Sequence, residues 1–94
     1  MKQTQQIFDH FGIEAQKMKL IEEMAELTVE LARNKDELKI MVEIADVSVV
    51  LDQIIDYYNR QAIENIKQGK IERTLERINS GYYEDISKWI INKK

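Results

Sequence analysis

Five carboxylates in this 94-residue sequence stand at spacings that could do chemistry: Glu22, Glu23 and Glu26 in one group, Glu43 and Asp46 in another. With about 100° of rotation per helical residue, Glu23 and Glu26 share one side of a helix, and so do Glu43 and Asp46. The first pair borders an apolar stripe centred on Leu20, Met24 and Leu31. The second lies between two apolar sides of its own segment. A solvated acidic face normally sets Lys or Arg three or four residues after each Glu. Here those positions after Glu22, Glu23 and Glu26 hold Ala25, Glu26, Leu27, Val29 and Glu30. Asp46 is flanked at the same spacings by Val42, Glu43, Val49 and Val50. Only Lys19, towards Glu22 or Glu23, and Lys39, towards Glu43, offer a helical partner.

Anions crowded beside a core are unfavourable unless protons or cations compensate them. If the two segments pack antiparallel, four oxygen-donor side chains converge, and that set suits a hard divalent cation, Mg²⁺ or Mn²⁺. A di-iron carboxylate bundle would need Glu-x-x-His pairs. The single histidine, His10, lies outside both segments and reads as a surface residue. An oxygen-only site suits Lewis-acid work on phosphates.

The elements that must position these groups read as helices. Glycines at 12, 69 and 81 divide the chain. Residues 3–10 form a short leading helix interrupted at Phe11-Gly12. From Ile13 to about Arg33 the stripe Leu20, Met24, Leu27 and Leu31, widened by Ile21 and Thr28, has helical period. Asn34-Lys35-Asp36 is a turn, with Asn34 or Asp36 as the cap of the next helix. That helix, 36–58, carries a main stripe of Ile40, Ile44, Val47, Leu51, Ile54 and Tyr58, with Val42, Ala45 and Val49 opposite. A helix apolar on two sides is normally buried between neighbours. The β-branched run at Val47–Val50 makes a strand the rival local reading, but the length of the periodic segment and its lack of Gly and Pro favour helix. Asn59 caps a third long helix, which Gly69 weakens or bends and Asn79-Ser80-Gly81 ends. Tyr82, Tyr83, Ile86, Trp89 and Ile90 form an amphipathic piece that docks onto the bundle. The expected fold is all-α, a single domain over 1–94: a helical hairpin with accessory helices, forming a multi-helix bundle on oligomerisation.

Composition narrows the classes. Without cysteine there is no disulfide framework, thiolate zinc site or cysteine nucleophile. A chain this short buries a modest core, so self-association is expected. The uncharged run Val47–Leu51 is far short of the roughly 20 residues of a membrane span. The polar start Met1–Gln6 leads into no apolar signal region. The chain therefore reads as cytoplasmic with no membrane partner. Its formal charge of −3 makes nucleic acid a poor partner for the surface as a whole.

Glu22-Glu23-Met24-Ala25-Glu26 followed by Glu43-Ile44-Ala45-Asp46 resembles the EExxE…ExxD signature of the all-α nucleoside triphosphate pyrophosphohydrolases. That superfamily includes MazG, the dimeric dUTPases and phosphoribosyl-ATP pyrophosphohydrolase. Small MazG-like proteins of bacteria and their phages are the nearest match in size and layout, and the resemblance spans about residues 11–78. It implies Mg²⁺-dependent hydrolysis between the α and β phosphates, giving a nucleoside monophosphate and pyrophosphate. Glu23, Glu26, Glu43 and Asp46 would be the metal ligands. Glu22 would add a metal contact or orient the attacking water, which makes Glu22 and Glu23 the candidate catalytic carboxylates, with the general base unassigned. Lys70-Ile71-Glu72-Arg73 resembles the Lys-x-x-Arg that contacts phosphate in MazG proteins, and Arg77 would share its helix face. The alternative for these cations is pairing with Glu72 and Glu76. The MazG motif continues into His-Pro-His where this chain has Thr74-Leu75-Glu76, a departure that bears on MazG-type substrate preference.

Lys17 and Lys19 either steer an anionic substrate or keep the surface wet, and Lys19 joins Lys70, Arg73 and Arg77 as a candidate substrate-binding cation. Gln16 and Gln53 could hydrogen-bond a base or ribose. Tyr57, Tyr58 and Trp89 could stack on a base but read more readily as packing anchors. The expected partners are a nucleoside triphosphate and further copies of the chain, as a homodimer or homotetramer in which Val42, Ala45 and Val49 are covered. The expected role is nucleotide-pool housekeeping. Two other readings compete: a non-catalytic helical interaction or regulatory module, and a nucleotide sensor that binds without turnover.

Overall fold

The computed structural model describes residues 2–83. It contains α1 (Gln3–Phe11), α2 (Ile13–Arg33), α3 (Glu37–Tyr58) and α4 (Arg60–Asn79). Among the described residues there is no strand, and Val47–Val50 lies inside α3. The all-α expectation holds. No helix of the described residues is long and apolar enough to cross a membrane.

The boundaries follow local chemistry. Gly12, at φ 84°, separates α1 from α2 in a conformation that a side chain would oppose, and its N–H donates to the Phe8 carbonyl. Asn34 adopts the left-handed conformation (φ 47°, ψ 41°), which Asn tolerates better than most residues, and so ends α2. Asp36 is the cap of α3: its Oδ1 accepts the N–H groups of Leu38 (3.0 Å) and Lys39 (3.3 Å). Of the two cap candidates, then, one closes the first helix and the other opens the second. α4 continues through Gly69 and stops at Ser80-Gly81, where Gly81 has φ 77°.

The chain divides into two compact units, residues 1–60 and 61–94. In the first, α2 and α3 form a hairpin and α1 packs on both. The second contains nearly all of α4 and the short helical turn at Tyr82 and Tyr83. Ile86, Trp89 and Ile90 of the expected docking piece lie outside the described residues.

The hairpin seam uses only half of the expected stripes: Leu20, Leu27, Ile40, Val47 and Ile54 turn inward, and the rest do not. Gln16, Glu23, Val50 and Gln53 are its buried residues. Leu20, Leu27 and Glu30 on α2, and Ile40, Glu43, Val47 and Ile54 on α3, are half-buried. Apart from Gln53, these positions repeat at alternating steps of three and four, the spacing of a two-helix packing seam. Met24 and Leu31, placed inward by the sequence pattern, are 44% and 53% exposed. Ile44, Leu51 and Tyr58 also face outward. Each helix offers more apolar surface than one partner can cover, and the sides that meet are those carrying the acids. Val42, Ala45 and Val49 are correspondingly exposed in the single chain.

Candidate metal centre

The hairpin register brings the two acidic groups together. Gln16 Nε2 donates to Gln53 Oε1 at 2.9 Å across the seam. Seven residues on along α2 and seven back along α3, Glu23 meets Asp46, as antiparallel packing requires. Glu22, Glu23 and Glu26 each present a carboxylate oxygen, all within 4.8 Å of one another. Glu23, Glu43 and Asp46 do the same. Glu23 belongs to both triads and is the pivot of the cluster. Oxygens around a single Mg²⁺, bonded at about 2.1 Å in an octahedron, are roughly 3–4 Å apart, so small side-chain adjustments would close either triad on an ion.

Burial makes the arrangement informative. Glu23 is 5% exposed, while Glu22 and Glu26 lie at the surface. Glu23 Oε1 receives the Lys19 ammonium at 3.0 Å, and Lys19 also reaches Glu22 at 3.9 Å. Glu23 Oε2 and Glu43 Oε2 are both buried and accept no hydrogen bond. A buried carboxylate oxygen without a donor is costly, and two in one cluster leave its polar pairing unfinished. The donor set consists entirely of carboxylate oxygens, which fits a hard divalent cation. Among the described residues Glu26, Glu43 and Asp46 form no ion pair, and Lys39 does not pair with Glu43 as its spacing suggested.

Protonation equilibria register the same crowding. The Glu26 carboxyl is pushed above its ordinary range, chiefly by the negative charge of Glu23, then by lost hydration and by Glu43 and Glu22. The Lys19 ammonium is held protonated to higher pH than usual by its hydrogen bond to Glu23 and by the charges of Glu22 and Glu23. Elsewhere in this unit Asp52 and Asp56 are matched by an arginine. Arg60 hydrogen-bonds Asp56 and Asp52, and the Arg60 bond to Asp56 holds that carboxyl below its ordinary range.

The remaining candidates fall in different places. Lys70, Arg73 and Arg77 lie exposed on α4, in the second unit. None forms an ion pair among the described residues, so the expected alternative of pairing with Glu72 and Glu76 is not used, and Arg77 instead sits over the Tyr82 ring at 4.9 Å. His10 is at the surface, against Phe11. Tyr57 and Tyr58 are about half-exposed, with Tyr57 against Phe8 and Tyr58 under Lys17.

Two features did not emerge from the sequence pattern. Glu30, one heptad beyond Glu23, is also drawn into the seam, where its side chain is 18% exposed and pairs with Arg33 at 3.6 Å. The seven-residue step from Gln16 through Glu23 to Glu30 was the signal. The second feature is a cavity of about 370 Å³ bounded by α1, α2 and α3. Ile7, Phe11, Val49 and Val50 give it apolar walls, Gln16 and Gln53 supply amides, and Lys19 stands at its boundary with the carboxylates.

No family model matches this chain, and no curated protein or solved structure matches it either.

Proposed function

We propose that the chain is a Mg²⁺-dependent nucleoside triphosphate pyrophosphohydrolase, releasing a nucleoside monophosphate and pyrophosphate. The observation that carries this reading is the pair of buried, unpartnered oxygens on Glu23 and Glu43 inside a cluster of five carboxylates. Glu23, Glu26, Glu43 and Asp46 would hold the ion, with Mn²⁺ as a substitute. Bound there, Mg²⁺ supplies neutralisation of phosphate charge and polarisation of the linkage that breaks. Glu22, at the solvent edge of the cluster with its side chain 59% exposed, would orient the attacking water and take its proton. Glu23 fixes the geometry through its two triads and serves as the buried catalytic carboxylate. Lys19 offers a cation to the phosphates, and the neighbouring cavity accepts the base, with the Gln16 and Gln53 amides as its polar wall. Lys70, Arg73 and Arg77 are candidate phosphate-binding cations on the resemblance of Lys70-Ile71-Glu72-Arg73 to the MazG Lys-x-x-Arg alone.

Self-association completes the reading. Among the described residues Val50 is the one buried apolar side chain, while Met41, Val42, Ile44 and Val49 on α3 are each about half-exposed. Apolar surface on this scale in a small chain favours a second copy, so a homodimer or homotetramer is the proposed working form. The proposed setting is the cytoplasmic nucleotide pool.

The test is pyrophosphate release from a panel of ribo- and deoxyribonucleoside triphosphates with and without Mg²⁺. Turnover that requires the ion and is lost in Glu26→Gln and Asp46→Asn supports the enzyme. A chain that releases no pyrophosphate from any nucleotide and is not stabilised by Mg²⁺ or Mn²⁺ contradicts it.

A further inference from the structure

Among the described residues the carboxylate cluster contains one cation, Lys19, and its position is unusual. Lys19 Nζ lies 3.0 Å from an oxygen of the nearly buried Glu23, yet about half of the Lys19 side chain is exposed. The ammonium meets a buried carboxylate from a side chain that is itself half-exposed, so it has open space to move into. The same residue bounds the apolar cavity beside Gln16 and Gln53. Lys19 therefore stands where the cavity and the carboxylates meet. Lysine suits a residue that changes partners, being a compact charge on a flexible stem without the fixed fork of arginine.

We propose that Lys19 is a placeholder cation: it neutralises Glu23 while the ligand set is empty, releases it on ion loading, and then turns to a phosphate oxygen of the substrate. This rests on the reading of the cluster as a divalent-ion centre. Without an ion, five carboxylates share one paired ammonium among the described residues, and Lys19 is drawn to the most buried of them. Once a divalent ion satisfies Glu23, the ammonium loses its strongest partner and gains a repulsive neighbour, so an anionic phosphate becomes the better contact. Ion loading and triphosphate binding are then coupled, each strengthening the other through one side chain.

The experiment uses the full chain and divalent ions alone. Mn²⁺ is titrated calorimetrically into wild type, Lys19→Met and Lys19→Arg, and the Lys19 ammonium resonance of wild type is followed by NMR while Mg²⁺ is added. Lys19→Met should bind Mn²⁺ on the order of tenfold more tightly than wild type, because the internal competitor is gone. Lys19→Arg, which keeps the charge, should bind no more tightly than wild type and controls for folding. The ammonium signal should lose its protection from solvent exchange over the Mg²⁺ range that saturates the site. Unchanged or weaker Mn²⁺ binding by Lys19→Met, or an ammonium signal indifferent to saturating Mg²⁺, overturns the placeholder role while leaving the ion centre standing. No Mn²⁺ binding by any of the three proteins overturns the ion centre itself.

Discussion

One helical seam contains two polar crossings a heptad apart, and they are built on opposite principles. At the first, Gln16 donates to Gln53 across the interface, and Gln53 in turn donates to the Val49 carbonyl at 3.0 Å. Both residues are at most 5% exposed, and neither has a buried polar atom lacking a partner. At the second crossing, Glu23 is equally buried and accepts Lys19 on one oxygen, but its other oxygen and one of Glu43 are left bare. A satisfied pair fixes register. An unsatisfied anionic pair, in a seam whose other polar crossing is satisfied, is what the proposed divalent ion would complete.

Substitutions can break this contrast. The largest effect is expected at Glu23→Gln, which removes the carboxylate shared by both triads. Mn²⁺ affinity measured by calorimetry should fall by more than about 100-fold, while the ion-free protein should melt higher because the crowding of negative charge around Glu23 is relieved. A Glu23→Gln protein that still binds Mn²⁺ like wild type would erase the difference between the two crossings.

The amide crossing should respond in the opposite sense. Gln53→Leu leaves the buried Gln16 amide without its acceptor and should cost about 1–3 kcal/mol in chemical denaturation. Replacing both glutamines with leucine should recover most of that loss. Neither change should alter Mn²⁺ affinity by more than about twofold, since the pair serves packing rather than ion binding. At the hairpin turn, away from both crossings, Asp36→Ala should cost about 1 kcal/mol through loss of the cap and leave ion binding intact. That variant sets the baseline for a purely structural defect.

The smallest effect is in the pH dependence of the ion-free protein. Glu26 has its folded-state pKa raised, chiefly by Glu23, so the native state holds that proton to higher pH than the unfolded chain. Stability from this group therefore falls as pH rises from the ordinary carboxylate value through the raised one. Asp56 has the opposite shift, from its hydrogen bond to Arg60: its contribution is present above the ordinary value and lost as pH falls through the lowered one. Denaturation between pH 3 and 7 should separate the two, with Glu26→Gln removing the upper limb alone and saturating Mn²⁺ suppressing it.

Most of the fold was legible because its boundaries rest on local chemistry. Gly12, Asn34, Asp36 and Gly81 each act through their own backbone or side chain, and a single sequence contains that information. The seam was less legible. Hydrophobic periodicity located a stripe through Leu20, Met24 and Leu31, but each helix has more than one apolar side. Which side meets the partner is decided by packing of the pair. The structure turns Glu23 inward where periodicity placed Met24. The cluster itself was legible as an absence, namely the lack of Lys or Arg at helical spacing from Glu26 and Asp46. Its depth was not, because the burial of Glu23 and Glu43 depends on the register between α2 and α3, which the Gln16–Gln53 pair reports only once the helices are docked.

Crystals of the intact chain grown with Mn²⁺ and measured at an anomalous wavelength test the central claim most directly. The account predicts an anomalous peak coordinated by Glu23 and Glu43 at about 2.1–2.2 Å, with Glu26 or Asp46 completing the shell. A cluster without such a peak at saturating Mn²⁺, its buried oxygens met instead by lysine or arginine side chains, would contradict it.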